Sequence, residues 1–172
     1  MRRYVLTYGL IAGAILSVLM VISMSIHDRI GFDRAMIVGY TTMVIAFLMI
    51  FFGVKAYRDN EHPDGLTFGR AFATGLLISF VATACYVATW QVVSRTMATD
   101  YLEKYAAYTL EKSREAGASE AELAAEAKEM AEFQEMYRNP LVNIAFTFVE
   151  PLPVGLLMSL VAAGVLRRKA VG

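Results

Sequence analysis

Four long stretches of this 172-residue sequence are predominantly apolar, and they constrain the fold more than any other feature. Each stretch is close to the roughly 20 residues that an α-helix needs to cross the hydrocarbon core of a bilayer. Helices are expected because an open strand would leave backbone amides and carbonyls without partners in lipid. The predicted spans are residues 4–26, 35–54, 71–93 and 141–166.

Composition agrees with this interpretation. Hydrophobic residues make up 57% of the chain, against about 45–50% in a typical soluble domain. The first stretch is too long for a signal peptide and has no small-residue cleavage site after it, so it is predicted to be a retained span. The net charge is zero, which does not favour a nucleic-acid partner. The sequence thus predicts an all-α polytopic protein, with residues 1–172 forming one domain in the lipid bilayer.

Orientation is predicted from where the basic residues lie. The two predicted sides carry eight Lys and Arg residues each, so their number alone does not decide the orientation. Basic clusters lie directly at the membrane at both chain ends, at Arg2 and Arg3 and at Arg167, Arg168 and Lys169. Several basic residues of the other side lie inside a long acidic segment. We therefore expect both termini in the cytoplasm and residues 94–140 on the extracytoplasmic side.

Residues 94–140, between the third and fourth spans, are predicted to form a helical hairpin. A first helix is expected over residues 100–116, ended by Gly117 in the left-handed conformation that suits glycine. Ser119 and Glu122 have the spacing of a capping box at the start of a second helix. Asn139 and Pro140 end that helix and begin the fourth span.

One side of the first hairpin helix carries aromatic and leucine residues, and two interpretations of it are open. The stripe either packs the two hairpin helices together or forms a docking surface for an extracytoplasmic protein partner, because tyrosines are common at interfaces. Its members are Tyr101, Leu102, Tyr105, Tyr108 and Leu110.

Small residues recur at every fourth position in three of the spans, which places each set on one helical face. Small side chains let neighbouring helices approach closely in a membrane. The pattern is compatible with packing inside one bundle and with a homo-oligomer. The sets are Gly9, Gly13 and Ser17; Ala71, Gly75, Ser79 and Thr83; and Gly155, Ser159 and Ala163.

Glu150 is the acidic residue that lies well inside a predicted span. It is about nine residues beyond the start of the fourth span, or roughly 13 Å along the helix axis. A charge at this depth costs at least about 2.5 kcal/mol, so the side chain should face protein or water. Pro151 and Pro153 follow directly and cannot donate hydrogen bonds, so a helix break is expected here.

Polar residues at similar depth are candidate partners for Glu150. Two interpretations are open: a small polar pocket centred on Glu150 that opens to the outer side, or a protonated glutamic acid that bonds across the bundle. The candidates on the fourth span are Asn143 and Thr147, and those on other spans are Ser23, Tyr40, Thr41, Tyr86 and Thr89.

Several short strings resemble a known family. They are FGVKAYRD at 52–59, TFGRAF at 67–72 and EPLPVG at 150–155, with the pairs Tyr8-Gly9 and Gly39-Tyr40. In this order they resemble a bacterial family known as domain of unknown function 4199, over nearly the whole chain. The resemblance implies a small bacterial inner-membrane protein and supplies no activity or catalytic residue.

Three functions are compatible with these features. The first is a non-enzymatic subunit that binds or assembles other proteins in a membrane complex. The second is an oligomeric transporter or channel for a proton, cation or small solute that uses Glu150. The third, enzymatic chemistry on a lipid, would need a second acid or a histidine near Glu150. No cofactor or metal is predicted, since His62 among the scattered acids of residues 55–70 has no recognised ligand spacing.

Overall fold

The computed structural model describes residues 1–167, apart from the side chain of Asp28. Arg168 and Lys169 of the predicted C-terminal basic cluster lie outside the described residues. The described residues form six helices: α1 (Arg2–Glu61), α2 (Phe68–Thr96), α3 (Tyr101–Glu115), α4 (Glu120–Tyr137), α5 (Pro140–Val149) and α6 (Leu152–Leu166).

The predicted all-α membrane fold is confirmed. Residues 1–167 contain no strand, and four helical segments are long and apolar enough to cross a membrane. We refer to them as the first span (Arg2–His27), the second span (Arg29–Glu61), the third span (Phe68–Thr96, which is α2) and the fourth span (Pro140–Leu166, which is α5 and α6). The helical hairpin predicted between the third and fourth spans is formed by α3 and α4.

The turn between the first two spans is tighter than the sequence predicted. Residues 27–34 were expected to separate the spans, but the chain reverses at Gly31, with φ 72° and ψ 164°, and is helical on both sides of it. Only glycine adopts this backbone region readily. The two halves of α1 then lie side by side, because the rings of Tyr4 and Tyr57 are 5.6 Å apart.

The third span is packed against both the first two spans and the fourth. Its contacts are made where the predicted small residues lie. A methyl group added at Gly9 would come within 2.6 Å of the Val81 side chain, and one added at Gly155 would overlap the Ser79 hydroxyl. Gly13 faces Cys85 and Gly75 faces Ser159 in the same way, and the Ser17 hydroxyl is 2.7 Å from that of Thr89. These glycines and serines therefore join helices of one chain.

Much of the outer surface of the spans is apolar. Val18, Ile37, Leu141 and Val165 are each more than half exposed, and they come from the first, second and fourth spans. Soluble monomers rarely expose apolar patches of this extent. A bilayer removes this surface from water, in agreement with the assignment of the four spans.

The hairpin has the caps that its sequence predicts. Gly117 has φ 88° between α3 and α4. The Ser119 hydroxyl accepts from the Glu122 amide at 3.3 Å, and the Glu122 carboxylate accepts from the Ser119 amide at 2.7 Å. This capping box lowers the pKa of Glu122, chiefly through the bond from the Ser119 amide. The Gln134 amide donates to the Leu102 carbonyl and so joins the two helices.

Candidate functional site

The fourth span is interrupted at Glu150 and Pro151, between the end of α5 and the start of α6. Pro151 and Pro153 have no amide hydrogen, so neither can donate to the carbonyl four residues before it. The Pro151 side chain is fully buried. The Glu150 carboxylate accepts a hydrogen bond from the Tyr86 hydroxyl of the third span at 3.0 Å.

A cavity of about 630 Å³ lies beside this carboxylate. All four spans contribute to its walls, and residues of α3 and α4 also line it. Of the predicted partners of Glu150, it is lined by Ser23, Tyr40, Tyr86 and Thr147. The structure therefore brings residues of four spans together around one partly enclosed space.

Three other predicted polar residues are not among those that line the cavity. The Asn143 side chain accepts from the Gln91 amide at 2.6 Å, which joins the fourth span to the third. Thr89 is paired with Ser17, as described above. Thr41 donates to the Ile37 carbonyl of its own helix at 2.7 Å. Asn143 and Thr89 therefore contribute to helix packing instead, and Thr41 is bonded within its own helix.

The walls of the cavity are mainly aromatic. The chain's single tryptophan, Trp90, donates to the Tyr137 hydroxyl at 3.0 Å. That hydroxyl is 3.4 Å from the Thr147 hydroxyl, which in turn donates to the Asn143 carbonyl at 2.8 Å. A chain of hydrogen bonds thus connects the third span, α4 and α5 along one wall. Four methionines, two leucines and an alanine complete the apolar part: Met20, Met24, Met36, Met43, Leu16, Leu102 and Ala35.

An aromatic cluster covers the end of the cavity next to α3, and we call it the roof. It consists of His27, Phe32, Tyr101, Tyr105 and Tyr108. Phe32 is at its centre, with ring centroids 4.5 Å from His27, 5.0 Å from Tyr108, 5.6 Å from Tyr101 and 5.7 Å from Tyr105. The tyrosines of the α3 stripe therefore contact the turn between the first two spans. The sequence had suggested packing against the other hairpin helix or docking of a protein partner, and neither interpretation included this contact.

Burial in the roof changes the titration of Tyr101. Loss of solvent is the main cause that raises the pKa of its phenol to about 12, and the Glu150 carboxylate adds to the effect. The Tyr101 hydroxyl is therefore neutral at physiological pH and can act as a hydrogen-bond donor or acceptor beside the cavity.

An ion pair joins the outer face of the roof to the second span. Lys112 Nζ is 2.6 Å from Asp33 Oδ1, and the Tyr108 hydroxyl donates to the same oxygen at 2.5 Å. Both charged side chains are more than half exposed. The pKa of Lys112 is raised above its ordinary value of 10.5. The main cause is the hydrogen bond from Lys112 to Asp33, and a hydrogen bond between Lys112 and the Tyr108 side chain is the second cause.

We expect Lys112→Met to loosen α3 only slightly, because exposed ion pairs contribute little to stability. Since the folded-state pKa of Lys112 is raised, the contribution of the pair is fully present below the unfolded-state pKa of Lys112 as long as Asp33 is ionised. It is lost as the pH rises through the folded-state pKa of Lys112 or falls far enough to protonate Asp33. Hydrogen exchange of α3 amides should therefore be slightly faster in the variant at pH 7. About 1 M salt should remove the difference, because charges are then screened over about 3 Å. A large difference that persists in salt would contradict this expectation.

The sequence did not identify Phe32, Trp90, Tyr137 or the pair of Asp33 and Lys112 as parts of the site. Aromatic residues near span ends are a weak signal, since tyrosine and tryptophan are common at every membrane interface. Among the described residues, no group of three or more His, Cys, Asp and Glu side chains could hold a metal ion. His62, considered above for a metal site, is instead 2.9 Å from the Tyr57 hydroxyl.

Comparison with known proteins returned one family. A family model described as protein of unknown function (DUF4199) matches residues 7–168. No curated protein and no solved structure matches the chain.

Proposed function

Because the chain belongs to the DUF4199 family of proteins of unknown function, as its short motifs predicted, its role must be derived from its own site. We propose that it is a non-enzymatic membrane protein that binds a small molecule in the cavity between the four spans and the helical hairpin. In this proposal the protein lies in a bacterial inner membrane with cytoplasmic termini, so that the roof of the cavity is on the outer side.

The observation that carries the proposal is the cavity itself. Its volume of about 630 Å³ lies within the roughly 300–1,000 Å³ of small-molecule sites. Such sites typically have apolar and aromatic walls with a few polar groups that orient the ligand. Here those groups are Glu150 at the helix break and the hydroxyls of Tyr86 and Thr147.

Two observations favour ligand binding over the role of an assembly subunit. The glycine and serine stripes pack against other helices of the same chain. The ring contacts of Tyr101, Tyr105 and Tyr108 are with Phe32 and other residues at the cavity. Features that suggested docking of other proteins therefore make contacts within the chain.

The polar lining residues support binding more than catalysis. His27 and Asp33 also line the cavity, and an acid or a histidine near Glu150 was the requirement for lipid chemistry. However, Asp33 is bonded to Lys112 and Tyr108, and the His27 ring packs on Phe32 and Tyr101. His27 thereby takes part in the roof, and Asp33 takes part in the ion pair that joins the roof to the second span.

Transport is the second candidate, because Glu150 lies at a helix break and lines a cavity formed by all four spans. Helix breaks in membrane proteins occur where protein or a water-filled cavity covers them. If the protein transports protons, vesicles that contain it should show proton movement that Glu150→Gln abolishes. Equal movement with both proteins would argue against this role.

Binding can be measured by the fluorescence of Trp90, because this single tryptophan lines the cavity. The full chain in a nonionic detergent would be titrated with two probes of equal shape, tetraphenylphosphonium and tetraphenylborate. We expect a saturable change in Trp90 fluorescence with at least one of them. No saturable change with either probe would overturn the proposal.

A pair of glycine variants locates the binding site. Gly39 lines the cavity, and a Cβ added there would meet no atom within 4 Å, so we expect Gly39→Phe to place its ring in this space. Gly164 is equally free of neighbours but lies outside the cavity lining, so Gly164→Phe is the matched control. Binding should be lost in the first variant and kept in the second. Equal binding by both would place the probe elsewhere and overturn the proposal.

A further inference from the structure

The charged groups around the cavity are unbalanced. Neither lysine nor arginine is among its described lining residues, which include Glu150 and Asp33. The charge of Asp33 is compensated by Lys112, 2.6 Å away. Glu150 is bonded to the neutral Tyr86 hydroxyl, and none of the ion pairs of the described residues includes it. A carboxylate in this position lacks a positive partner.

The aromatic walls supply a second feature that favours positive charge. The face of a tryptophan or tyrosine ring attracts a cation within about 6 Å of its centroid, and the attraction is stronger where water is excluded. Tyr40, Tyr86 and Trp90 of the second and third spans line the same cavity as Glu150. Tyr101 and Tyr137 line it from the hairpin.

The remaining walls determine what kind of cation would fit. Inorganic cations such as Mg²⁺ and Ca²⁺ require several oxygen ligands, and the described residues contain no group of three or more acids, histidines or cysteines that could supply them. The four methionines of the wall offer flexible, polarisable side chains that adapt to apolar groups of different shapes. These walls suit an organic cation with apolar substituents.

The same lining disfavours ligands that carry a negative group. A phosphate or carboxylate is normally bound by arginine, lysine or several amide donors. Because no lysine or arginine lines the cavity within the described residues, the basic side chain nearest to a phospholipid phosphate there would be that of His27, which already packs on Phe32 and Tyr101 in the roof. This argues against a zwitterionic lipid as the occupant.

We propose that the ligand of this cavity is a lipophilic organic cation without an anionic group, bound with its positive charge between the Glu150 carboxylate and the surrounding aromatic rings. This inference rests on the proposed function, since it requires that the cavity binds a small molecule. It adds the charge and the chemical class of that molecule.

The two probes described above test the inference directly, because tetraphenylphosphonium and tetraphenylborate differ mainly in the sign of their charge. We expect the wild-type chain to bind the phosphonium at least about tenfold more tightly, as one hydrogen bond or contact to a charged group is worth this much. This comparison does not depend on any variant being folded. Equal affinity, or preference for the borate, would overturn the inference.

A carboxylate variant with a matched control identifies the anionic group. Glu150→Gln should weaken phosphonium binding about tenfold or more and should not weaken borate binding, because it removes a negative charge from the cavity. Glu129→Gln, at an exposed carboxylate of α4, should change neither affinity. Tyr86→Phe keeps the aromatic ring and removes the hydroxyl that is bonded to Glu150, so phosphonium binding should be retained within about threefold. Unchanged phosphonium affinity in Glu150→Gln, or its loss in Tyr86→Phe, would overturn the inference.

Competition separates a simple cation from a lipid headgroup. Dodecyltrimethylammonium, below its micelle concentration, should displace the phosphonium, whereas dodecylphosphocholine should not, because no lysine or arginine lines the cavity within the described residues to bind its phosphate. Equal displacement by both would overturn the exclusion of anionic groups. If both tetraphenyl probes bind equally and Gly39→Phe blocks both, the proposed function stands and this inference fails. If neither binds, both proposals fail.

Discussion

Gly155→Val is expected to lower the free energy of unfolding by about 3 kcal/mol, because it forces bulk into a tightly packed interface. A Cβ at this position would overlap the Ser79 hydroxyl and lie 3.0 Å from the Ser79 Cβ. Ser79 and the neighbouring Phe47 are both fully buried, so they have little room to move. The third and fourth spans would have to separate. We expect the melting temperature in detergent to fall by roughly 10 °C.

Gly164→Val is the matched control for this prediction. Gly164 is on the same helix as Gly155 and is exposed, and an added Cβ meets no atom within 4 Å. The change should alter stability by no more than about 0.5 kcal/mol, which is the scale of exposed substitutions. If the two variants melted at the same temperature, this result would contradict the close contact between the third and fourth spans at Gly155 and Ser79.

Phe32→Ala is expected to loosen α3 from the turn between the first two spans, at a cost of about 2–4 kcal/mol. Phe32 has ring contacts with His27 and with all three tyrosines of the roof, which connect α3 to the turn at Gly31. Removing the ring leaves a gap that these side chains cannot fill without moving. Amides of α3 should exchange with solvent much faster in the variant, and binding of the tetraphenyl probes should weaken.

Phe68→Ala provides the comparison for the roof variant. Phe68 is 40% exposed and stacks on Phe72 at 6.1 Å, at the start of the third span. It lies outside the cavity lining, so its removal should leave the exchange of α3 amides unchanged. If the amides of α3 exchange with solvent as slowly in Phe32→Ala as in the wild-type chain, contacts other than those of Phe32 hold α3 in place. The ion pair of Lys112 and Asp33, with its expected small effect, could not account for such protection alone.

Local features were predicted well because their causes lie within a few residues. The break at Glu150 follows from two prolines that cannot donate hydrogen bonds. The Ser119 cap and the left-handed Gly117 likewise depend on short-range geometry. By contrast, the reversal within the single residue Gly31 depends on how the two halves of α1 pack side by side. The sequence therefore predicted a longer connection there.

The candidate site was predicted only in part. Its depth in the membrane and its central carboxylate could be derived from the position of Glu150 in an apolar stretch. The pairing with Tyr86, 64 residues away, requires knowledge of which helix faces which. The roof is even harder to predict from the sequence, because Phe32 and Tyr108 are far apart along the chain. Their rings come into contact only when α3 packs on the turn between the first two spans.

The sequence by itself determined that this protein has four apolar spans, an acidic helical hairpin and a broken fourth span. These follow from the cost of leaving polar groups in lipid and from local backbone chemistry. Only the tertiary structure decided that the glycine stripes join helices of one chain and that the tyrosines of α3 face inward over a cavity. The physical reason is that helical periodicity defines the faces of a helix, whereas the neighbour of each face depends on the packing of the whole bundle.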